Sequence, residues 1–229
     1  MKIGGLQKTS LIEFPDKICA IIFTQGCNFR CPYCHNPELV EPEKFSNLIS
    51  EEEIFSFLKK RKKYLNAVSI TGGEPCLQKD IFEFMDKIKN MGFLIKLETN
   101  GSFPEVIKTS IKKSFVDYLS MDIKGPFEKY DKIVRVKIDI SKIKESINLI
   151  MNSGLNYEFK TTVVKSLITK KDFESIGNSI KGAKLYFLQK FVSIKLLDPD
   201  FSKEETYSDE EFEEIKNLMK NYVSECEIR

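Results

Sequence analysis

The sequence predicts an α/β fold built on a largely parallel sheet, and three observations support this prediction. Strand-like and helix-like segments alternate six times along the chain. The strand-like segments are short, continuous apolar runs, as expected for strands buried on both faces. Polar and glycine-rich motifs follow these runs, at the sheet edge where parallel α/β folds collect their active-site loops. Six units are too few for a closed eight-stranded barrel, so the pattern allows a flat doubly wound sheet or a partial barrel.

The chain has 229 residues and no linker-like break in composition, so we expect a single domain over residues 1–229. Residues 1–17 read as a short extended lead-in, interrupted by glycines at positions 4 and 5 and by Pro15. The alternating core covers residues 18–191. Residues 192–229 form a C-terminal extension with one helix.

Within the core, β-branched and apolar runs predict six strands, at residues 18–24, 67–71, 93–98, 116–123, 157–164 and 184–191. Amphipathic segments predict helices from about residue 50 to 65, then at 79–91, 104–113, 141–153, 172–180 and 208–222. The first of these begins with the capping box Ser50-Glu-Glu-Glu53. The segment that contains Pro37 and Pro42 is expected to lack regular structure.

Composition excludes several classes of function. The net charge is +2, and 41% of the residues are hydrophobic and 31% charged. These values are ordinary for a globular protein, and the overall charge is too small to indicate binding to nucleic acid. No apolar run approaches the roughly 18 residues of a membrane span, and the start lacks a signal-peptide layout. We therefore expect a cytoplasmic protein that binds neither nucleic acid nor membrane. Six cysteines in such a chain argue against a disulfide framework.

The stretch Cys-Asn-Phe-Arg-Cys-Pro-Tyr-Cys-His-Asn places Cys27, Cys31 and Cys34 in one loop directly after the first core strand. Three thiolates from one short loop can converge on a metal centre. They cannot fill the four sites of a 4Fe-4S cluster, in which each iron normally takes one cysteine. One iron would therefore stay open to a ligand that is not protein, as in an open catalytic metal site.

The other strand ends carry residues that suit a small charged ligand. The glycine pair after the second core strand would let backbone approach a ligand closely. Acidic side chains suit an ammonium or ribose group, and a lysine could pair with a carboxylate. The candidate ligand-binding residues are Gly72, Gly73, Glu74, Glu98, Asn100, Asp122 and Lys124.

The remaining histidine and cysteines leave other interpretations open. His35 follows Cys34 and could complete a Cys₃His zinc site, although adjacent residues seldom chelate one tetrahedral ion well. Otherwise it forms local hydrogen bonds at the edge of the site. We expect Cys19 to be a buried small hydrophobe and Cys76 to serve packing rather than redox chemistry. We expect Cys226 to lie at a frayed C-terminus.

At these residues the sequence resembles the radical S-adenosylmethionine (SAM) family. The C-x₃-C-x-aromatic-C spacing, with Tyr33 as the aromatic residue, is that family's signature, and Gly-Gly-Glu-Pro follows it. The resemblance implies a partial (β/α)₆ TIM-like barrel, with residues 18–191 as the barrel core. Within the family, residues 5–15 and 24–37 look like the activating proteins of anaerobic ribonucleotide reductase, a glycyl-radical enzyme.

The resemblance also implies roles for the candidate residues. The three cysteines would hold a 4Fe-4S cluster, and the amino and carboxylate groups of SAM would occupy the open iron. Tyr33, Cys34, His35 and the Gly72-Gly73-Glu74 turn would line SAM. Asp122 and Lys124 match an Asp-x-Lys motif. Two departures stand out, since Glu98 lies where such activases often carry Asp before Thr-Asn-Gly, and no histidine follows late in the barrel.

The implied reaction is reductive cleavage of SAM to a 5′-deoxyadenosyl radical that takes a hydrogen atom from a glycine of the partner enzyme. Electrons would come from a low-potential donor such as ferredoxin or flavodoxin. The chain has no Arg-x-x-Gly-Tyr segment, so it would be the activator and not the radical-bearing enzyme. Two alternatives remain, a radical SAM enzyme acting on a small molecule, such as a deazapurine-type synthase, and a zinc or redox module.

Overall fold

The computed structural model describes residues 1–229 and has an α/β fold. Its eight strands belong to one sheet and follow each other in chain order across that sheet. The strands are β1 (Ile3–Phe14), β2 (Lys17–Thr24), β3 (Ala67–Gly72), β4 (Leu94–Thr99), β5 (Tyr118–Asp122), β6 (Asn156–Val163), β7 (Leu185–Lys190) and β8 (Glu225–Ile228). All six predicted core strands are present, as β2 to β7, with ends that differ by at most two residues.

Strand pairing agrees with the predicted α/β class. Strand β1 runs antiparallel to β2, with Leu6 opposite Ile22. The pairs β2–β3, β3–β4, β6–β7 and β7–β8 are parallel. Parallel neighbours require crossover connections, and the predicted helices supply them. The α/β prediction is therefore confirmed.

Eight α-helices connect and flank the strands. They are α1 (Pro37–Val40), α2 (Glu51–Arg61), α3 (Ile81–Asn90), α4 (Pro104–Lys112), α5 (Tyr130–Val134), α6 (Ile140–Met151), α7 (Asp172–Ser179) and α8 (Asp209–Met219). At the start of α2 the Ser50 side chain accepts a hydrogen bond from the Glu53 amide. A complete capping box, formed by Ser208 and Glu211, begins α8. None of the helices combines the length and apolar character that a membrane crossing requires.

The chain forms two compact units. Unit 1 comprises Met1–Asn28, Glu38–Thr99 and Glu105–Leu119, and unit 2 comprises Phe29–Pro37, Asn100–Pro104 and Ser120–Arg229. In unit 1, Phe14, Cys19 and Ala67 belong to a buried apolar cluster. Burial of Cys19 confirms its interpretation as a small core residue. In unit 2, Phe159 of β6 and Tyr186 of β7 are fully buried. The prediction of a single domain stays a prediction.

Three parts of the sequence interpretation were wrong. The lead-in is extended as predicted, but Gly4 and Gly5 do not interrupt it, because they lie within the 12-residue strand β1. The C-terminus is not frayed, because β8 pairs with β7 and Cys226 is buried. The proline-containing segment is partly regular, with α1 beginning at Pro37. A proline in the first turn of a helix loses no hydrogen bond, so it can begin one.

Candidate functional site

The cysteine loop, residues 27–36, follows β2, and backbone hydrogen bonds fix its shape. In unit 2, the Arg30 amide donates to the Val134 carbonyl oxygen at 2.9 Å. The Cys34 amide donates to the Cys31 carbonyl oxygen at 3.0 Å, which closes a four-residue turn around Pro32 and Tyr33. The turn brings two of the three motif cysteines into one short, ordered segment.

The motif cysteines differ in their exposure. Cys31 is buried, whereas Cys27 and Cys34 are partly exposed, and none of the chain's cysteines forms a disulfide. Burial raises the pKa of the Cys31 thiol to about 11, while the positive charge of Lys124 acts in the opposite direction. The neutral thiol is therefore the stable form of Cys31 without a metal. A bound metal would supply the positive charge that a thiolate needs at this position.

Tyr33, between Cys31 and Cys34, has a buried hydroxyl. The side chain is 4% exposed, and its oxygen has no hydrogen-bond partner. Burial raises the pKa of this hydroxyl well above its usual value, with a further contribution from Cys31. A buried polar group without a partner costs about 1–3 kcal/mol. Such groups are rare in folded proteins, and each one calls for an explanation such as strain, a catalytic role, or an additional water or ion.

His35 is exposed and contacts the segment after β7. Its Nε2 atom lies 2.7 Å from the Val192 carbonyl oxygen, and its ring stacks on Phe191 with 6.3 Å between centroids. These contacts agree with the interpretation of His35 as a local hydrogen-bonding residue.

Residues 191–198, here called the C-terminal strap, make further contacts with the cysteine loop. The Leu197 amide donates to the Cys34 carbonyl oxygen at 2.8 Å, and the Asp198 amide donates to that of Pro32 at 3.0 Å. An ion pair between Arg135 and Asp198, at 2.6 Å, fixes the far end of the strap. The strap was missed at the sequence level because its hydrogen bonds to the cysteine loop are made by its backbone groups, which leave no pattern of residue types.

Asp122 and Lys124 form an ion pair at the end of β5, with 3.0 Å between Oδ2 and Nζ. The Tyr130 hydroxyl accepts a hydrogen bond from the Lys124 amide at 3.2 Å and donates to the Asp122 carbonyl oxygen at 3.4 Å. Burial by itself lowers the pKa of Lys124, but the charge of Asp122 and contributions from Tyr33 and Cys31 raise it well above its usual value. Lys124 is therefore a permanent cation close to Cys31 and Tyr33.

The turn after β3 is closely packed within unit 1. Gly72 has a φ of 112°, which favours glycine. A Cβ atom on Gly73 would lie 2.1 Å from the Gly26 carbonyl oxygen. The Glu74 side chain is fully buried and accepts hydrogen bonds from the Cys76 amide at 2.9 Å and from Thr99 Oγ1 at 2.8 Å. Since that carboxylate holds the turn together, the backbone of this segment is what a ligand could contact.

Glu98, at the end of β4, is held by two neighbours in unit 1. Thr71 Oγ1 donates to its Oε2 at 3.0 Å, and the fully buried Lys96 ammonium lies 3.0 Å from its Oε1. Lys96 also pairs with Glu13 at 3.0 Å. The Glu98 carboxylate is thus oriented by a cation and a hydroxyl. Sequence inspection missed Lys96, whose charge inside an apolar strand was the available signal.

Asn100 follows in the loop after β4 and is buried within unit 2. Its Oδ1 accepts hydrogen bonds from the Ser102 amide at 3.0 Å and from the Ser102 hydroxyl at 2.5 Å. This oxygen shapes its own loop, as an Asx turn does.

The structure brings four of the sequence-predicted residues together within unit 2. These residues are Cys31, Tyr33, Asp122 and Lys124. Cys31, Tyr33 and Lys124 each contribute to the pKa shifts of the other two, and the Asp122 carboxylate contributes to all three shifts. Tyr130 belongs to the same cluster and was not predicted, because a buried tyrosine in a short helix has no distinctive sequence pattern. Within unit 1, the Gly73 amide donates to the Thr24 carbonyl oxygen at the end of β2, and the Glu74 carboxylate accepts from Thr99 at the end of β4.

No group of three or more His, Cys, Asp or Glu side chains is arranged to hold a single metal ion. A mononuclear site and an iron–sulfur cluster place different demands on the ligands. Each cysteine of a 4Fe-4S cluster binds a different iron, so the three sulfur atoms need not meet around one ion.

Comparison with known proteins agrees with these features. The sequence pattern that defines the Radical SAM superfamily matches residues 21–180. A protein of Methanocaldococcus jannaschii, named "Putative glycyl-radical enzyme activating enzyme MJ1227", is 35% identical over 235 residues, which cover 99% of this chain and 95% of that protein. A "Probable GTP 3′,8-cyclase" of Sulfurisphaera tokodaii is 24% identical over 211 residues, or 91% of this chain and 65% of the relative.

Among solved structures, Streptococcus suis SuiB bound to S-adenosylmethionine is similar with a TM-score of 0.67. The match covers 89% of this chain and 48% of SuiB at 12% sequence identity. At this identity the likeness shows a shared fold.

Proposed function

The chain belongs to the radical SAM superfamily, whose enzymes use a 4Fe-4S cluster and SAM, and we propose that it is an activase that generates a glycyl radical on a partner enzyme. The observation that carries this proposal is the likeness to the M. jannaschii protein, which extends over almost the whole of both chains.

Cys27, Cys31 and Cys34 are proposed as the cluster ligands. The donor set fits the cluster, because thiolate sulfur is the ligand that iron–sulfur clusters take, and three cysteines leave one iron open. The buried Tyr33 hydroxyl without a partner also supports a missing group beside Cys31. With these cysteines holding the cluster and SAM bound, the site would have the one-electron radical chemistry that activation of a glycine requires.

The protein's own side chains would bind and orient SAM. Lys124 carries the positive charge that a carboxylate needs, and Asp122 keeps that ammonium in place. Glu98 offers a carboxylate to the amino or ribose groups, oriented by Lys96 and Thr71. The backbone of Gly73 and the loop residues Cys34, His35 and Asn100 complete the proposed contacts. Gly72 and Glu74 contribute by shaping the turn.

The proposal extends to the partners predicted from the sequence. The likeness of residues 5–15 and 24–37 to activating proteins of anaerobic ribonucleotide reductase supports that enzyme as the target. A low-potential donor such as ferredoxin or flavodoxin would reduce the cluster in the cytoplasm.

A small-molecule radical SAM reaction is the second candidate. It is favoured by the likeness to the S. tokodaii protein, whose name describes a GTP cyclase, but that match has lower identity and covers less of the relative. A deazapurine-type synthase would be another member of this class. Both differ from an activase in turning over a free small molecule.

The test begins with anaerobic reconstitution of the protein with iron and sulfide, followed by reduction with dithionite. With SAM and an anaerobic ribonucleotide reductase, we expect 5′-deoxyadenosine and a glycyl-radical doublet in the electron paramagnetic resonance (EPR) spectrum. The Cys34→Ala variant is the control and should give neither. Consumption of GTP or another purine, with no glycyl radical on any glycyl-radical enzyme offered, would replace the activase by the second candidate.

A further inference from the structure

The cysteine loop is held in unit 2 by two segments that are remote in sequence, the end of α5 and the C-terminal strap. Before the turn that contains Cys31 and Cys34, the Arg30 amide donates to the Val134 carbonyl oxygen at 2.9 Å. Within the turn, the carbonyl oxygens of Pro32 and Cys34 accept hydrogen bonds from strap amides at 3.0 and 2.8 Å. The shape of the loop therefore depends on where these two segments lie.

Arg135 joins the two segments. It directly follows Val134 at the end of α5, and its Nη1 atom pairs with Asp198 Oδ2 at 2.6 Å. The Asp198 amide is one of the strap amides that donate to the loop. The guanidinium also lies over the Phe201 ring, 5.2 Å from its centroid, which is within the range of a cation–π contact. One side chain thus connects both segments that hold the cysteine loop.

The Asp198 carboxylate makes two separate contacts. Its Oδ2 atom pairs with Arg135, while its Oδ1 atom accepts a hydrogen bond from the Asp200 amide at 3.0 Å and caps the short helical turn Pro199–Lys203. The hydrogen bond from Arg135 lowers the pKa of Asp198, so the carboxylate is charged at neutral pH. An asparagine at this position would keep the cap and lose the charge.

The backbone of Arg135 is a second, independent observation. Its φ of 54° lies in the left-handed region, where glycine is the usual residue after a helix. A residue with a Cβ atom occupies this region at a conformational cost, and it persists where surrounding contacts hold it. For Arg135 these contacts are Asp198 and Phe201. The arginine is therefore explained by what its side chain binds and not by the need to end α5.

We propose that Arg135 is a positioning residue for the iron–sulfur site, whose ion pair with Asp198 locks the strap against the cysteine loop and slows loss of the cluster. The inference rests on the proposed function, through Cys31 and Cys34 as cluster ligands. Arg135 acts on the cluster only through the strap. A strap that moves away withdraws its hydrogen bonds from the turn, which can then open and release iron.

The test compares Arg135→Gln, Asp198→Asn and the double variant, each reconstituted with the cluster. Glutamine leaves the backbone cost at position 135 in place, and asparagine keeps an acceptor for the Asp200 amide. Iron release to a chelator under anaerobic conditions measures the lifetime of the cluster. We expect each single variant to release iron about fivefold faster than the wild type, the upper range for an exposed ion pair. The double variant should be no faster, because both changes remove the same interaction.

Lys170→Gln is the matched control. It breaks an ion pair with Glu214 of α8 at 2.7 Å, and the Lys170 side chain is 44% exposed, compared with 46% for Arg135. This variant should release iron at the wild-type rate. A rate raised as much as in Arg135→Gln would show that loss of any surface ion pair has this effect, and it would overturn the inference.

Hydrogen exchange of the metal-free proteins gives a readout that needs no cluster. The amides of Leu197 and Asp198 should exchange about fivefold faster in Arg135→Gln, because loss of the ion pair makes opening of the strap easier. The midpoint of urea unfolding should change no more than in Lys170→Gln, which separates local opening from general destabilisation.

Two failures can be told apart. A cluster that forms and is retained equally in the wild type, Arg135→Gln and Asp198→Asn would overturn the inference alone, and so would wild-type exchange of the strap amides in both variants. If the wild type takes up no 4Fe-4S cluster, the proposed function itself fails, and the inference fails with it.

Discussion

The Glu74 carboxylate, in the turn after β3, accepts hydrogen bonds from the Cys76 amide and from Thr99, whereas the Tyr33 hydroxyl, in the cysteine loop after β2, has no partner. Both groups are buried and both follow parallel strands of the sheet. Burial without a partner is costly, so the two sites differ in what completes them. The Glu74 carboxylate finds its partners within the chain, and the Tyr33 hydroxyl does not.

The same contrast applies to the cysteines of the two segments. Burial raises the pKa of Cys76 well above its usual value, and the nearby Glu74 adds to this effect. Burial raises that of Cys31 as well, but there Lys124 opposes the shift. A thiolate is disfavoured at both positions, yet only Cys31 has a cation beside it. Proximity of a cysteine to the site is therefore a poorer guide to function than the charges around it.

The largest expected effect tests which of these cysteines is a cluster ligand. Cys31→Ala should lose essentially all cluster iron after reconstitution, compared with about four iron atoms per wild-type chain. Cys76→Ala should retain wild-type iron and sulfide, with a modest loss of stability from the small cavity. Iron analysis and absorbance near 400 nm measure both. Wild-type iron content in Cys31→Ala would show that Cys31 is not a cluster ligand. Loss of iron in Cys76→Ala would show that Cys76 is needed for the cluster.

The next effect tests how tightly the turn after β3 is packed. Gly73→Ala would place Cβ 2.1 Å from backbone oxygen, so it should lower the free energy of unfolding by at least about 1–3 kcal/mol. Gly5→Ala in β1 is the matched control, since its Cβ would meet only the Phe23 side chain at 3.4 Å. Urea denaturation of the metal-free proteins measures both. Equal stability of the two variants would show that the backbone of the turn can shift enough to accommodate the added methyl group.

The smallest effect compares two buried tyrosines in the metal-free protein. Tyr33→Phe removes an unpartnered hydroxyl and should leave the free energy of unfolding unchanged or raise it by about 1 kcal/mol. Tyr186→Phe removes the hydrogen bond to Thr161 and should lower it by about 1 kcal/mol. Thermal and urea denaturation report the difference. A loss in Tyr33→Phe as large as that in Tyr186→Phe would mean that Tyr33 has a partner in the chain.

Much of the fold could be predicted from local patterns. The six core strands were located within two residues because continuous apolar runs report strands buried on both faces. Strand β1 escaped prediction because most of its residues are at least partly exposed and it contains two adjacent glycines. Its hydrogen bonds come from the antiparallel partner β2. Strand β8 has four residues and depends in the same way on its pairing with β7.

The sequence by itself determined the kind of chemistry, because ligand type and spacing are local properties. Three cysteines within eight residues, followed by Gly-Gly-Glu-Pro, indicate an open cluster site before any contact is known. Only the tertiary structure decided which polar groups already have a hydrogen-bond partner within the chain. Thr99 reaches Glu74 across 25 positions, and the strap bonds to the cysteine loop through backbone atoms. Hydrogen-bond partners are set by distances between segments remote in sequence, and no local pattern of residues encodes those distances.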